Sequence, residues 1–212
     1  MYQVNECFCS IQGESSYAGH AAVFVRMAGC DLRCPFCDTD HDSASGEHGG
    51  KYQAEEIVAL VLRLWGKAIE HSRPLVVLTG GEPTLQLAKD HSLLRALLEA
   101  DCRVHVETNG TVDPGWDVPG VPRPTWITLS PKPGGKVRLP YFDEVKLLYP
   151  LDDPGLHPDR WVGTDAIHHW LQPVDNGTKE GLALATDLAL SYVLSDPRWR
   201  LSVQVHKYIG AR

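Results

Sequence analysis

Six short apolar runs in this chain each break off into a polar motif, and that pattern limits the possible folds more than any other feature. "AAVFVRMAG" (21–29) runs into Gly-Cys, "PLVVLTGGEP" (74–83) into Gly-Gly-Glu-Pro, and "CRVHVETNG" (102–110) into Glu-Thr-Asn-Gly. "WITLSPK" (126–132), "AIHHWLQP" (166–173) and "RLSVQVHKYIG" (200–210) end in Ser-Pro-Lys, Leu-Gln-Pro and Gln-Val-His-Lys, and "DEVKLLYP" (143–150) is a further strand-type run. "YQAEEIVALVLRLWGKAIE" (52–70) places Ile57, Val61, Leu64, Trp65 and Ala68 on a helical stripe, and 91–100 and 179–195 also read as helices. Strands alternating with helices predict a parallel sheet with crossover helices, whose chemistry sits at the C-terminal strand ends. A complete eight-fold barrel takes ~250 residues. A chain of 212 residues is therefore expected to be a single α/β domain over 1–212, a partial (open) parallel β/α barrel of about six strands. The Pro/Gly-rich stretch 112–125 is expected to replace one crossover helix.

The net charge of −7, without a run of Lys or Arg, argues against a nucleic-acid partner, because a phosphate backbone demands a basic face. No segment approaches the ~20 apolar residues that span a bilayer. "MYQVNECFCS" lacks the basic start and long apolar stretch of a secretory leader. The expected location is cytoplasmic, where clustered cysteines serve metal or redox chemistry rather than disulfides.

"GCDLRCPFCDTD" (29–40) holds Cys30, Cys34 and Cys37 in the spacing C-x3-C-x2-C. One reading is a zinc site completed by His41 or His48, although structural zinc usually takes paired C-x2-C knuckles. Redox C-x-x-C chemistry would leave Cys30 unexplained. Three thiolates on one loop can instead hold a 4Fe–4S cluster by three irons and leave the fourth open to a ligand that is not protein. Cys7, Cys9 and Cys102 are expected to be buried small side chains.

With an aromatic, Phe36, before the third cysteine and Gly80-Gly81-Glu82-Pro83 at the end of the next strand, the chain resembles the radical S-adenosylmethionine (SAM) superfamily. The resemblance implies that the open iron chelates SAM and that electron transfer releases a 5′-deoxyadenosyl radical. "SIQGES", "VRMAGC", "CDTD", "LTGGEPTLQ", "VETNG", "SPK", "LQP" and "VQVHKYIG" together resemble the 7-carboxy-7-deazaguanine synthase family. That narrower likeness implies ring contraction of 6-carboxy-5,6,7,8-tetrahydropterin with loss of ammonia, on the way to queuosine-type bases. It also implies magnesium, an electron donor such as flavodoxin or ferredoxin, and a homodimer.

The same resemblance implies roles for residues. SAM contacts fall on Phe36, Cys37, Asp38, Gly80, Gly81, Glu82, Asn109, Ser130, Pro131, Lys132 and Gln172. Substrate contacts fall on Ile11, Gln12, Gly13, Glu14, Arg26, Thr79, Glu107, His206 and the terminal Arg212. Magnesium falls on Thr39, where chemistry alone would favour Asp38 or Asp40. Arg26 offers a planar fork suited to a carboxylate. An Asx-type turn closed by Asn-Gly accounts for Asn109 equally well, and a strand histidine such as His206 is commonly just packed. No side chain is assigned as catalytic, since the cofactor carries the hard chemistry. "SASGEHGGKYQ" (43–53) has the Gly-rich look of a lid. The rival readings are a glycyl-radical activase and a non-catalytic zinc-binding protein.

Overall fold

The computed structural model describes residues 1–66 and 72–211. Its strands are β1 (Tyr2–Ile11), β2 (Ala21–Met27), β3 (Gly50–Tyr52), β4 (Leu75–Gly80), β5 (Arg103–Thr108), β6 (Trp126–Leu129), β7 (Glu144–Tyr149), β8 (His168–Pro173) and β9 (Trp199–Leu201). Its helices are α1 (Ala54–Trp65), α2 (Thr84–Leu87), α3 (Ser92–Glu99), α4 (Lys179–Ser195) and α5 (Val205–Ile209). The strands form one open sheet in the order β3-β1-β2-β4-β5-β6-β7-β8-β9. Pairing is parallel from β2 through β9, and β1 and β3 add an antiparallel edge. The six principal parallel strands, β2 and β4 to β8, make the expected partial barrel, and 112–125 joins β5 to β6 without a helix.

Strand alternation sorts the side chains into two sets. Val23, Val25 and Met27 of β2, Val76 and Leu78 of β4, and Val104 and Val106 of β5 pack outward with Ile57, Val61, Leu93, Leu94 and Leu97 of α1 and α3. Val145, Leu147 and Leu171 pack with Ala189 of α4 and Trp199 in a second layer. The opposite positions project into the barrel: Arg26, Thr79, Glu107, Thr128, Lys146 and Gln172. At the inner base Phe8, Ala22, Phe24, Leu75 and Val77 form a small apolar plug. Beside that plug a buried polar network joins His105, Thr128 and Glu144, and the remaining inward polar groups lie above it.

Three expectations are corrected. Residues 200–210 are not a single strand, since β9 ends at Leu201 and α5 follows, stopped by Gly210 at φ +67°. Val203 and Val205 alternate like a strand, but the Val205 N–H bonds Gly13 O at 3.0 Å instead of a sheet neighbour, which turns the chain over the barrel. Segment 43–53 does not lie over the barrel mouth. Its Gly50–Tyr52 portion pairs with β1, Cys7 N donates to Glu47 O at 2.8 Å, and a Cβ on Gly49 would fall 2.4 Å from Asn5 O. Cys7 and Cys102 are buried as expected, whereas Cys9, on the same face of β1 as Cys7 but farther along the strand opposite Val23, is exposed.

The expected helix 52–70 runs from Ala54 to Trp65, with a Gln53–Glu56 capping box at its start; Ala68 lies outside the described residues. Strand β1 itself, ten residues long, carried no clean alternation to announce it.

Candidate active site

A cavity of about 800 Å³ opens at the C-terminal ends of the parallel strands. Every site residue that the resemblance implied lines it except Pro131, which is buried and does not line it, and Arg212, which lies outside the described residues; the alternative candidates Asp40 and His48 do not line it. Residues separated by up to the length of the chain are therefore brought to one chamber.

The cysteine loop forms one wall. Gly29 N donates to His41 O at 2.7 Å and closes the neck of the loop, and Cys37 N donates to Cys34 O at 3.1 Å in a turn. Leu32 N points at Cys30 Sγ at 3.4 Å. The base of the loop is tied down by Asp31, which accepts from Asn109 Nδ2 at 3.1 Å and from Thr111 Oγ1 at 2.6 Å. Neither Asp31 nor Thr111 was legible as a site residue. Asn109 also forms the Asx-type turn, its Oδ1 accepting from Thr111 N at 2.8 Å. The turn account of Asn109 therefore holds, and the residue also lines the cavity.

The Gly-Gly-Glu turn is locked to this loop. Gly81 N donates to Met27 O at 2.9 Å and Glu82 N to Gly29 O at 2.8 Å. A Cβ on Gly81 would fall 1.9 Å from Gly29 O, and one on Gly80 2.5 Å from Met27 N. The glycines are thus required first by backbone meeting backbone, whatever ligand lies beyond them. The Glu82 carboxylate is spent inside the protein: it accepts from Thr84 N at 3.0 Å, Thr84 Oγ1 at 2.5 Å, Thr108 Oγ1 at 2.6 Å and Asn109 N at 2.7 Å. Burial raises its pKa, opposed by those donors. It brackets β4 to β5 beneath the cysteines.

On the facing wall Lys132 Nζ donates to Ser130 O and Oγ, each at 2.7 Å. Burial, and then the nearby Lys146, push the Lys132 pKa down to about 8. Arg26 Nε lies 3.1 Å from Glu6 Oε1, and Arg26 Nη1 donates to Thr39 Oγ1 at 3.0 Å.

The floor is acidic. Glu107 accepts from Gln12 Nε2 and Thr79 Oγ1, each at 2.9 Å. Glu14 accepts from Lys146 Nζ and, at 2.8 Å, from Gln204 Nε2. Lys146, a lone lysine in the apolar strand "EVKLLY", was not singled out from the sequence; alternation from its buried neighbours Val145 and Leu147 was the signal that could have found it. Above the floor His206 packs on Gly13, where a Cβ would fall 1.9 Å from its Nδ1. Lys207 reaches Asp38 at 3.2 Å and Asp175 at 3.1 Å, which joins α5 to the cysteine loop and to the segment after β8. Gln172 accepts from Ser202 Oγ at 3.2 Å.

Comparison with known proteins agrees with this geometry. Residues 24–118 match the model of the radical SAM superfamily. A 7-carboxy-7-deazaguanine synthase from Caulobacter vibrioides is 40% identical, with 99% of this chain and 98% of the relative covered. One from Bordetella pertussis is likewise 40% identical over 99% and 98%. The chain belongs to the 7-carboxy-7-deazaguanine synthase family. A crystal structure of QueE from Escherichia coli superposes with a TM-score of 0.65 at 25% identity, covering 97% of this chain and 94% of that one.

Members of this radical SAM family use a 4Fe–4S cluster and SAM, and the donor set here fits them. Three thiols on one loop face the cavity, and among the described residues no three His, Cys, Asp or Glu side chains are grouped to hold a single ion. A cluster spreads its thiolates over three irons and asks for that wider set. Neither His41 nor His48 is grouped with two of the cysteines among the described residues, so neither completes a compact zinc site. No helix among the described residues is long and apolar enough to cross a membrane.

Proposed function

We propose that this synthase-family chain converts 6-carboxy-5,6,7,8-tetrahydropterin to 7-carboxy-7-deazaguanine with loss of ammonia. When bound, the reduced cluster and SAM supply the radical that starts the ring contraction. The protein's own residues bind, orient and exclude water. Cys30, Cys34 and Cys37 would hold the cluster. Lys132 and Ser130, with the backbone of Gly80 to Glu82 and with Phe36, Asp38, Asn109 and Gln172, would hold SAM against it. Lys132 supplies a cation suited to the methionine carboxylate.

Arg26 would grip the substrate carboxylate, and Thr39, bonded to it, would offer its hydroxyl to magnesium together with substrate oxygens. Gln12, Glu14, Thr79 and Glu107 would face the amino-pyrimidinone edge of the pterin, whose N–H donors need acceptors. His206 would close over the ring. The observation that carries this reading is that one cavity holds a three-thiol wall, an arginine–threonine pair and an acidic floor.

Reduced, iron-loaded protein incubated with SAM, magnesium and the carboxytetrahydropterin should yield 7-carboxy-7-deazaguanine by mass. A brown protein that cleaves SAM yet leaves the pterin untouched would overturn the substrate, and a colourless zinc-loaded one the cofactor. We further propose a low-potential flavodoxin or ferredoxin as electron donor, a cytoplasmic location, and a homodimer. The exposed Leu184, Leu188, Leu190 and Leu194 of α4 support self-association, which sedimentation would test.

A further inference from the structure

Lys146 belongs to none of the motifs that hold cluster, SAM or substrate, yet it occupies the centre of the cavity floor. Its ion pair with Glu14 is almost closed to solvent, at 8% and 12% side-chain exposure. Glu14 is fixed from its other oxygen by Gln204, and Glu107 by Gln12 and Thr79. Two buried carboxylates close together cannot both stay ionised without a cation; one takes a proton. A protonated carboxyl turns an acceptor into an O–H donor, and a donor opposes the N–H groups of an aminopyrimidinone.

Resting on the substrate reading above, we propose that Lys146 is a positioning residue for the pterin: its ammonium, paired with Glu14 and set beside Glu107, presents both carboxylates as acceptors to the amino-pyrimidinone edge. The charge balance agrees with that placement. Burial works to raise the Glu107 pKa, but Lys146 and then His105, with the Thr79 and Gln12 hydrogen bonds, hold it down at about 2. Burial also works against ionised Glu14, with Glu107 adding to it, and Lys146 reverses the balance so that the Glu14 pKa is lowered. Lys146 is raised: burial opposes its charge, and Glu14, Glu107 and Glu144 outweigh it. The other charged or titratable groups around this floor include Arg26 on β2, His105 on β5, Lys132 after β6, Glu144 on β7 and His206 on α5. Lys146→Met removes the ammonium that bonds a floor carboxylate directly, so burial then governs and the carboxylates take up protons at higher pH.

The test is isothermal titration of oxidised, cluster- and SAM-loaded enzyme with 6-carboxytetrahydropterin between about pH 6 and about pH 8.5. Wild-type affinity should change by less than about threefold across that range, whereas Lys146→Met should bind at least about tenfold more weakly at the acid end than at the alkaline end. A carboxylic-acid carbonyl band should appear in the infrared spectrum of that variant at the acid end and be absent from the wild type. A residue that merely braced the fold would lower stability without moving the affinity profile. If Lys146→Met does not fold, Lys146→Met/Glu14→Gln removes both charges of the pair, and the acid-side loss should persist through Glu107 alone. A variant profile parallel to wild type overturns the role of Lys146. A wild type that binds no pterin at any pH overturns the substrate reading instead.

Discussion

Arg26 and Thr39 are joined by a hydrogen bond of 3.0 Å, although one ends a strand and the other lies beyond the third cysteine. The bond places a guanidinium and a hydroxyl side by side on the cavity wall, with Glu6 holding the Nε edge at 3.1 Å. Under the proposed function this is where substrate carboxylate and magnesium meet. Arg26→Ala should weaken pterin binding by about 100-fold, on the scale of truncating one partner of a desolvated charge pair. Reductive cleavage of SAM without substrate should persist. Arg26→Lys should recover only part of the loss, because an ammonium cannot reproduce the fork. Equal substrate affinity in wild type and Arg26→Ala would remove the residue from the site.

Cys30→Ala, Cys34→Ala and Cys37→Ala should each lose iron, colour and turnover, since each removes one of the three thiolates proposed to hold the cluster. Cys9→Ala and Cys102→Ala should keep all three, the first being exposed and the second buried in the α3–β5 core. Iron and sulfide analysis of anaerobically purified variants decides. Turnover surviving in any of the first three would contradict the assignment.

Gly81→Ala should lower stability by about 2 kcal/mol or more, because its new methyl meets backbone that cannot yield. Gly163→Ala is the control, with open space around the added atom. Thermal unfolding of the cluster-free proteins compares them directly. A Gly81→Ala variant that melts with the wild type would show that the close approach to Gly29 is not rigid.

Under the proposed function Lys132 should make SAM binding sensitive to pH. With its pKa near about 8, the free enzyme loses the ammonium as pH rises through that value, and a carboxylate ligand binds the protonated form. SAM affinity should therefore be full below about pH 7 and fall about tenfold per unit well above pH 8, an effect read by equilibrium titration with the oxidised enzyme. Lys132→Arg should flatten the decline. A wild-type affinity constant up to about pH 9.5 would place the cation elsewhere.

The sequence by itself determined the parallel α/β arc, the three-thiol loop and much of the cavity lining. Strand ends, glycine pairs and cysteine spacing are local patterns, and local patterns leave marks in one dimension. Tertiary structure alone decided how those pieces brace each other. Asp31 meets Asn109 and Thr111 across roughly eighty positions, Glu82 clamps β4 to β5, and Lys146 finds Glu14 from the far side of the barrel. The last segment shows the reason most plainly. Its alternating valines specify a strand only if a sheet neighbour takes their hydrogen bonds, and here Gly13 takes the Val205 N–H first. Which partner a backbone or buried charge meets depends on where the rest of the chain lies, and only the folded molecule contains that information.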